Sequence, residues 1–232
     1  MRIIAKLHEH EQAAFLSHLD MQRSLQRSLR RADMPLAYSQ GFNPHPLMAF
    51  AGALSTGFES DGEYFDVRLT EDVTPRDFED RLNAVLSPGL FVSNAMEAPE
   101  GLSTLTGQLQ AARYTLWLTA EGEITPEQME AALDRVLSAS EVTVQKRTKS
   151  GAMVPQNLRP QLLQARLLGR DGAAFTLDVL GELTAGGGLR MDALAGVLLD
   201  FLGSKGFFRC RREEMYFADV HGLPSLGKGN DE

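Results

Sequence analysis

Four arginines recur along one predicted helix, which begins at the segment SHLD and ends just before an unusual loop. At about 100° per residue, they fall on one side of the helix, opposite an apolar stripe that includes Met21, Leu25 and Leu29. The four residues are Arg23, Arg27, Arg30 and Arg31. Guanidinium groups form forked, two-pronged hydrogen bonds with phosphate. The arginine face is therefore predicted to bind RNA or another phosphorylated ligand.

The arginine face also has a purely structural explanation, in which it binds no ligand. Arginines four residues apart on a helix repel each other by a few tenths of a kcal/mol, unless an anion approaches them. Acidic side chains from the following segment, such as Glu59, Asp61 or Glu63, would also relieve that repulsion by forming salt bridges.

The loop YSQGFNPHP, residues 38–46, follows the helix and combines conformational restriction with reactive side chains. Gly41 is free to adopt a positive φ, whereas Asn43 and His45 each precede a proline and are therefore restricted to extended conformations. Such stiffness lowers the entropy lost on binding. The loop residues predicted to contribute to the anion or RNA site are Ser39, Gly41, Phe42, Asn43 and His45.

The start of the helix supplies supporting residues and weak catalytic candidates. Ser17 is the predicted N-cap, with Asp20 three residues on as a near capping box and Leu16 placed to pack on Met21. Asp20, Ser17 and Glu63 are assigned a supporting role. No catalytic residue is assigned; the weak candidates are His18, His45 and Tyr38.

His18 has two readings. It either makes a hydrogen bond to a neighbour at the helix start, or shares a pocket with His45, Asp20 or Glu63 as an acid/base pair or a ligand set. The sequence has no HExxH or paired-cysteine pattern, and so no metal site is predicted.

A second basic patch lies in the segment VQKRTKSGAMVPQNLRP. It consists of Lys146, Arg147, Lys149 and Arg159. The net charge is −8 overall, yet residues 139–170 carry +5. An acidic body with local basic surfaces suits a specific anionic ligand better than indiscriminate binding of polyanions. The patch is interpreted either as an RNA-contacting arm or as a solvated loop.

Composition and length set the broad class of the protein. With 232 residues, 43% of them hydrophobic, the chain is long enough for one large domain or two of about 100 residues. No apolar run reaches a membrane span, and the N-terminus lacks the features of a secretory signal. A cytoplasmic location is expected. The single cysteine, Cys210, cannot by itself hold an iron–sulfur cluster.

The order of predicted elements is β-α-β-β-α-β, and it occurs twice. The first half includes a strand at residues 2–8, a helix at 17–32 and a second helix that begins after Thr74. This order predicts an α+β fold of two tandem ferredoxin-like units, with antiparallel sheets and helices on one face. The expected divisions are a first domain at 1–98, a linker at 99–110, a second domain at 111–220 and a flexible tail at 221–232.

The second half has one extended segment too many for this scheme. Either EVTVQKR, at residues 141–147, or the strand near Leu163 fills the second strand position. The sequence leaves both assignments open.

The segment from Ser17 to Glu63 resembles the radical-SAM-linked domain of uncharacterised function, a bacterial family found alone or fused to the C-terminus of a radical SAM enzyme. Similarity beyond that segment is less distinctive and includes RCRREEMYF. The family pattern maps onto Ser17, His18, Asp20, Arg23, Arg27, Arg31, Pro35, Ser39, Gly41, Phe42, Asn43, Pro44, His45, Pro46, Gly57, Ser60 and Glu63.

This resemblance implies an accessory protein whose partner is a radical SAM enzyme. The partner would use S-adenosylmethionine and an iron–sulfur cluster, and this chain would bind no cofactor itself. The favoured hypothesis is a non-catalytic protein that presents RNA or another phosphorylated substrate to the partner, and the sequence leaves open whether the chain is itself an enzyme. The alternatives are a metal-independent RNA-processing enzyme that uses His18 and His45, and a scaffold that only docks the radical SAM enzyme. No oligomeric state is predicted.

Overall fold

The structure, a computed structural model, describes residues 1–148, 151–218 and 220–226. The chain forms two compact units. Unit 1 comprises Met1–Gln110 and Arg212–Glu232, and unit 2 comprises Ala111–Arg211. The sequence predicted that residues 212–220 belong to the second domain. In the structure they belong to unit 1, because the last strand is divided between the two units at residue 212.

Unit 1 contains the helices and strands expected from the first half of the sequence. Its strands are β1 (Arg2–Glu9), β2 (Met48–Phe50), β3 (Glu59–Arg68) and β4 (Leu90–Glu97), and its helices are α1 (His18–Arg31), α2 (Pro75–Asn83) and the short α3 (Leu105–Gln108). A 3-10 helix, Glu11–Phe15, precedes α1. Ser17 caps α1 by accepting the Asp20 N–H at 3.2 Å, and Thr74 caps α2 in the same way.

The sheet of unit 1 is antiparallel around β1. Strand β1 lies between β3 and β4, and β2 pairs with β3. The C-terminal half of the last strand, β11 (Gly206–Phe217), lies next to β3. The order β2-β3-β1-β4 places the N-terminal strand in the interior of the sheet.

The core of unit 1 lies on one face of this sheet. Alternate residues of β1, including Ile3 and Leu7, are fully buried and pack with Leu25 of α1 and Phe78 of α2. Both helices therefore cover the same face, because their apolar stripes and the period-two alternation of β1 meet there.

A bulge interrupts the pairing of β1 with β3. Leu7 lies opposite Glu63, but Glu9 lies opposite Ser60, so β3 has one residue more than β1 over this stretch. Such an insertion changes which face the following side chains point to. Gly62 lies at the bulge because a Cβ there would come within 2.6 Å of the Glu214 Cα.

The expected linker and tail belong to the body of unit 1 where the structure describes them. Within 99–110, Leu105 is buried, and the Arg2 guanidinium donates to the carbonyls of Leu102 and Ser103. Within 221–232, the Pro224 carbonyl accepts the Phe217 N–H at 2.8 Å. Residues 227–232 lie outside the described part of the chain.

Unit 2 repeats the pattern with an added hairpin. Its elements are β5 (Leu109–Ala120), α4 (Pro126–Ser138), β6 (Thr143–Arg147), β7 (Met153–Asn157), β8 (Leu162–Asp171), β9 (Ala174–Thr184), β10 (Gly187–Gly188), α5 (Met191–Phe201) and the first half of β11. The strand order is β8-β9-β5-β11, with β10 also on β9.

This order resolves the open strand assignment in the second half. Strand β8, which contains Leu163, pairs with β9 in the main sheet, whereas β6 pairs only with β7 in a separate two-stranded sheet. The segment EVTVQKR therefore belongs to an inserted hairpin.

The predicted α+β class with antiparallel sheets is confirmed. Among the residues that the structure describes, no helix is both long and apolar enough to cross a membrane.

Candidate nucleic-acid interface

The arginines of α1 form an exposed stripe. Arg23 and Arg27 are exposed, as is Leu19 one turn earlier. Arg23 lies 3.4 Å from Asp20, a contact between two largely exposed side chains that contributes little to stability. Within the described residues, Arg27 has no ion pair or hydrogen bond of its side chain. The opposite side of α1 is buried through Met21, Leu25 and Leu29.

The acids that were candidates for neutralising this stripe have other partners. Asp61 contacts the rings of His8 and His10. Glu63 forms a buried ion pair with Arg212, and Glu59 accepts the Glu11 N–H. Among the described residues, neither Glu59 nor Glu63 forms an ion pair with an arginine of α1.

The other two arginines of the helix connect it to its surroundings. Arg30 is exposed and its Nε donates to the Tyr38 hydroxyl at 3.4 Å. Arg31 donates to the Val85 carbonyl at 2.6 Å and to Ser28 Oγ. Arg31 thus has a structural role at the end of the helix, and Arg30 joins the helix to the loop.

The loop is a short hairpin closed by its own side chains. Tyr38 and Pro46 form an isolated antiparallel bridge, and the Ser39 N–H donates to the His45 carbonyl at 2.9 Å. Gly41 has φ +130°, which confirms the predicted positive φ. Residues 40–45 at the tip are all exposed, Asn43 among them.

His45 is oriented by Ser39. Ser39 Oγ accepts the His45 backbone N–H at 3.1 Å and lies 2.9 Å from His45 Nδ1. These two contacts fix the direction of the His45 ring, which is exposed at the loop tip.

The loop also carries two exposed aromatic side chains. Phe42 is 105% exposed and Tyr38 is 40% exposed. A fully exposed phenylalanine does not contribute to stability by packing in the core, and its ring is available for stacking on a ligand. Arg23, Arg27, Arg30, Tyr38, Phe42 and His45 are called the arginine–loop surface below.

His18 lies in a different environment from His45. Its ring contacts Phe50 edge-on at 5.4 Å and lines a small pocket, of about 10 Å³, with Glu9 and Glu63. The described residues include no contact between His18 and His45. Of the pocket partners predicted for His18, the structure places Glu63 beside it.

Glu9 and Glu63, which line this pocket, belong to a buried group of charged residues. Arg212 Nη1 donates to both oxygens of Glu63, at 2.8 and 3.0 Å, and Ser60 Oγ donates to Glu63 Oε1 at 2.9 Å. Glu9 is only 5% exposed. Burial, and then the nearby negative charge of Glu63, raise the pKa of Glu9 to about 8, although Arg212 lowers it.

Sequence reasoning missed Glu9 and Arg212. Arg212 was assigned only to one side of a strand, and its partner Glu63 lies 149 residues earlier. The sequence did contain a sign that Glu9 is buried. In a strand, residues two apart point to the same face, so Glu9 lies on the same face as the apolar Leu7.

The second basic patch is only partly a free surface. Lys146 and Arg147 are exposed on β6. Arg159, by contrast, donates to the Leu137 carbonyl at 2.9 Å and to the Leu162 carbonyl at 2.8 Å, and therefore fastens the end of α4. Lys149 lies outside the described residues.

Comparison with known sequences identifies the family. Residues 2–189 match the family described as "Uncharacterized protein conserved in bacteria (DUF2344)". This match covers most of the chain, and the chain therefore belongs to that family. No curated protein matches the sequence.

Solved structures show a related fold. A chain of a Cbf5–Nop10–Gar1 complex superposes with a TM-score of 0.54 and 9% identity, over 97% of this chain and 52% of that one. A chain of the archaeal box H/ACA sRNP Nop10–Cbf5 complex gives a TM-score of 0.51 and 11% identity, over 90% and 46%.

A third structure, an H/ACA RNP bound to a substrate RNA containing 2'-deoxyuridine, gives a TM-score of 0.55 and 11% identity, over 97% of this chain and 51% of that one. The chain thus spans about half the length of the chains it matches. At these identities the likeness concerns the fold alone.

The raised pKa of Glu9 predicts how stability depends on pH. The folded state keeps the Glu9 proton up to about pH 8, whereas the unfolded state loses it near the ordinary value of 4.5. Between these values the folded state binds more protons, so the free energy of unfolding should fall as pH rises, by up to about 1.4 kcal/mol per pH unit. Glu9→Gln should remove this part of the slope.

Urea denaturation of the metal-free protein between pH 5 and about pH 8 measures this slope. Glu100→Gln, a change at an exposed carboxylate of the same unit, is the matched control and should keep the wild-type slope. A Glu9→Gln variant whose stability depends on pH as the wild type does would contradict the assignment.

Proposed function

We propose that this protein binds single-stranded RNA through the arginine–loop surface and presents it to a radical SAM enzyme. The observation that supports the proposal most strongly is the combination of exposed arginines on α1 with an exposed aromatic ring in one region of unit 1. Arg30 connects the two parts through its hydrogen bond to Tyr38, and Phe42 lies at the exposed tip of the same loop.

The extent of the surface favours RNA over a small phosphorylated molecule. From Arg23 to Arg30 the helix rises by about 10 Å, which is more than a single phosphate group occupies. Proteins that bind single strands combine a positive track for the backbone with aromatic rings on which bases stack. The arginines provide the track, and Phe42 provides a stacking surface.

The fold gives weaker support to the same proposal. We interpret each unit as ferredoxin-like, because the orders β2-β3-β1-β4 and β8-β9-β5-β11 are those of a β-α-β-β-α-β unit with a split β-α-β arrangement. The similar solved structures belong, by their descriptions, to RNA–protein complexes. Shared fold is an analogy and does not establish function.

The accessory role rests on the resemblance of residues 17–63 to the radical-SAM-linked domain. In its support, Cys210 is the only cysteine and is buried. A cluster held by three cysteines would therefore have to belong to the partner. In the proposed complex, this chain contributes the RNA surface and the partner contributes S-adenosylmethionine chemistry.

RNA binding should show separable contributions from charge and from stacking. The affinity for fluorescein-labelled single-stranded RNA of mixed sequence should fall with salt, and Arg27→Ala should reduce the slope of log K against log salt by about 0.7. Phe42→Ala should weaken binding by about 1–3 kcal/mol and leave the slope unchanged. Fluorescence anisotropy at several salt concentrations measures both quantities.

The matched control is Arg76→Ala on α2. Arg76 is an exposed arginine of the same unit, and its only ion pair in the described residues is a loose one with Asp80 at 3.7 Å. This variant should bind RNA with the wild-type affinity and slope. If Arg27→Ala and Arg76→Ala behave alike, or the wild type does not bind RNA, the proposed surface is wrong.

The accessory role predicts a complex with a radical SAM enzyme. Tagged protein purified anaerobically from a bacterium that encodes it should retain a partner with an iron–sulfur absorption spectrum, identified by mass spectrometry. Arg27→Ala should keep the partner but retain less RNA. Loss of the partner itself in Arg27→Ala would favour a docking scaffold, and the absence of any radical SAM enzyme would refute the accessory role.

A further inference from the structure

Two histidines and an aspartate converge on the face of the unit 1 sheet that lies opposite α1 and α2. His8 Nδ1 is 3.0 Å and His10 Nε2 is 2.8 Å from the same oxygen, Oδ1 of Asp61. One ligand atom from each of the three side chains lies within 4.8 Å of the other two. Their side chains are 22%, 33% and 32% exposed, so solvent reaches the cluster.

The backbone explains why these side chains meet. His8 and His10 are two residues apart in extended chain, and therefore point to the same face. Asp61 lies at the bulge of β3, opposite this part of β1. Gly62, next to Asp61, leaves room for the close approach of the Glu214 backbone.

Neighbouring residues hold the His8 ring in a fixed orientation. Its Nε2 lies 2.8 Å from Ser93 Oγ, and its ring packs against Phe91 with centroids 5.7 Å apart. Histidines that bind metals commonly use their second nitrogen in this way, because a hydrogen bond there fixes the tautomer and the direction of the ligating nitrogen.

We propose that His8, His10 and Asp61 bind a divalent first-row transition-metal ion such as Zn²⁺, with His8 Nδ1, His10 Nε2 and a carboxylate oxygen of Asp61 as ligands. Three protein ligands leave one or more coordination positions open to water or substrate, as in metal sites that take part in reactions. Two imidazoles also select against Mg²⁺ and Ca²⁺, which prefer oxygen ligands.

The geometry requires only small adjustments. A tetrahedral ion with bonds of about 2.1 Å separates its ligands by about 3.4 Å. The two N···O distances are slightly shorter than this value, so Asp61 would withdraw by about half an ångström. The position is solvent-accessible.

The competing explanation is a hydrogen-bonded triad in which both imidazoles donate to Asp61. Its contacts are the same, but it requires an N–H on His8 Nδ1 and on His10 Nε2. A metal ion replaces both protons, so the two explanations predict opposite responses to added metal and to acid. This proposal does not depend on RNA binding or on the radical SAM partner.

Titration of the chelator-treated full-length protein with Co²⁺ and Zn²⁺ tests the proposal. Co²⁺ should give the visible absorption of a low-symmetry site, Zn²⁺ should displace it with 1:1 stoichiometry, and calorimetry should show affinity falling as pH is lowered. Asp61→Asn and His10→Ala should each weaken Zn²⁺ binding by at least about tenfold, and Ser93→Ala by about tenfold.

His221→Ala is the matched control, because it removes one exposed imidazole of the same unit and leaves the cluster intact. It should bind Zn²⁺ as the wild type does, and circular dichroism should confirm that every variant is folded. The proposal is overturned if the wild type binds no Zn²⁺, or if Asp61→Asn and His10→Ala bind it as tightly as His221→Ala does.

Discussion

Glu63 and Arg212 meet in the interior of unit 1, where both side chains are at most 4% exposed. Removing two charges from water is costly, and such a pair is tolerated only when its remaining polar atoms also have partners. Here Ser60 donates to Glu63, and Arg212 also donates to the Ala53 carbonyl. Ser60 and Glu63 can face the same side because β3 has an extra residue between them.

Several features of unit 1 follow from this arrangement. Burial, and then the negative charge of Glu63, raise the pKa of Glu9 and favour its protonated form. The bulge that turns Ser60 and Glu63 to one side places Asp61 beside His8 and His10 on the other. With Asp61 and Glu63 engaged in this way, neither neutralises α1, whose Arg23 and Arg27 remain exposed. The same short segment of β3 thus affects both proposed sites.

Local signals in the sequence predicted much of unit 1. The Ser17 and Thr74 caps fixed the starts of α1 and α2, helical periodicity identified the exposed arginines, and the positive φ of Gly41 followed from its place in the loop. These features depend on neighbours within a few residues, where spacing along the chain determines spacing in the fold.

Features that depend on distant pairing were not predictable in the same way. The sequence grouped Arg159 with nearby basic residues. Its actual partners are backbone carbonyls, which every residue has and which a sequence pattern therefore does not reveal. Arg212 and Glu63 are 149 residues apart, and Asp61 is 51 residues from His10. A one-residue bulge decides which face Asp61 occupies, and period-two alternation alone does not reveal it.

In the proposed complex, RNA lies across the arginine stripe of α1 and the tip of the 38–46 loop. Ultraviolet cross-linking of the protein to single-stranded RNA, with mass spectrometry of the cross-linked peptides, locates that contact directly. Cross-links should concentrate at Tyr38 and Phe42 and in the peptides that contain Arg23, Arg27 and Arg30. Cross-links confined to the β6–β7 hairpin, or an absence of cross-links in residues 17–46, would contradict it.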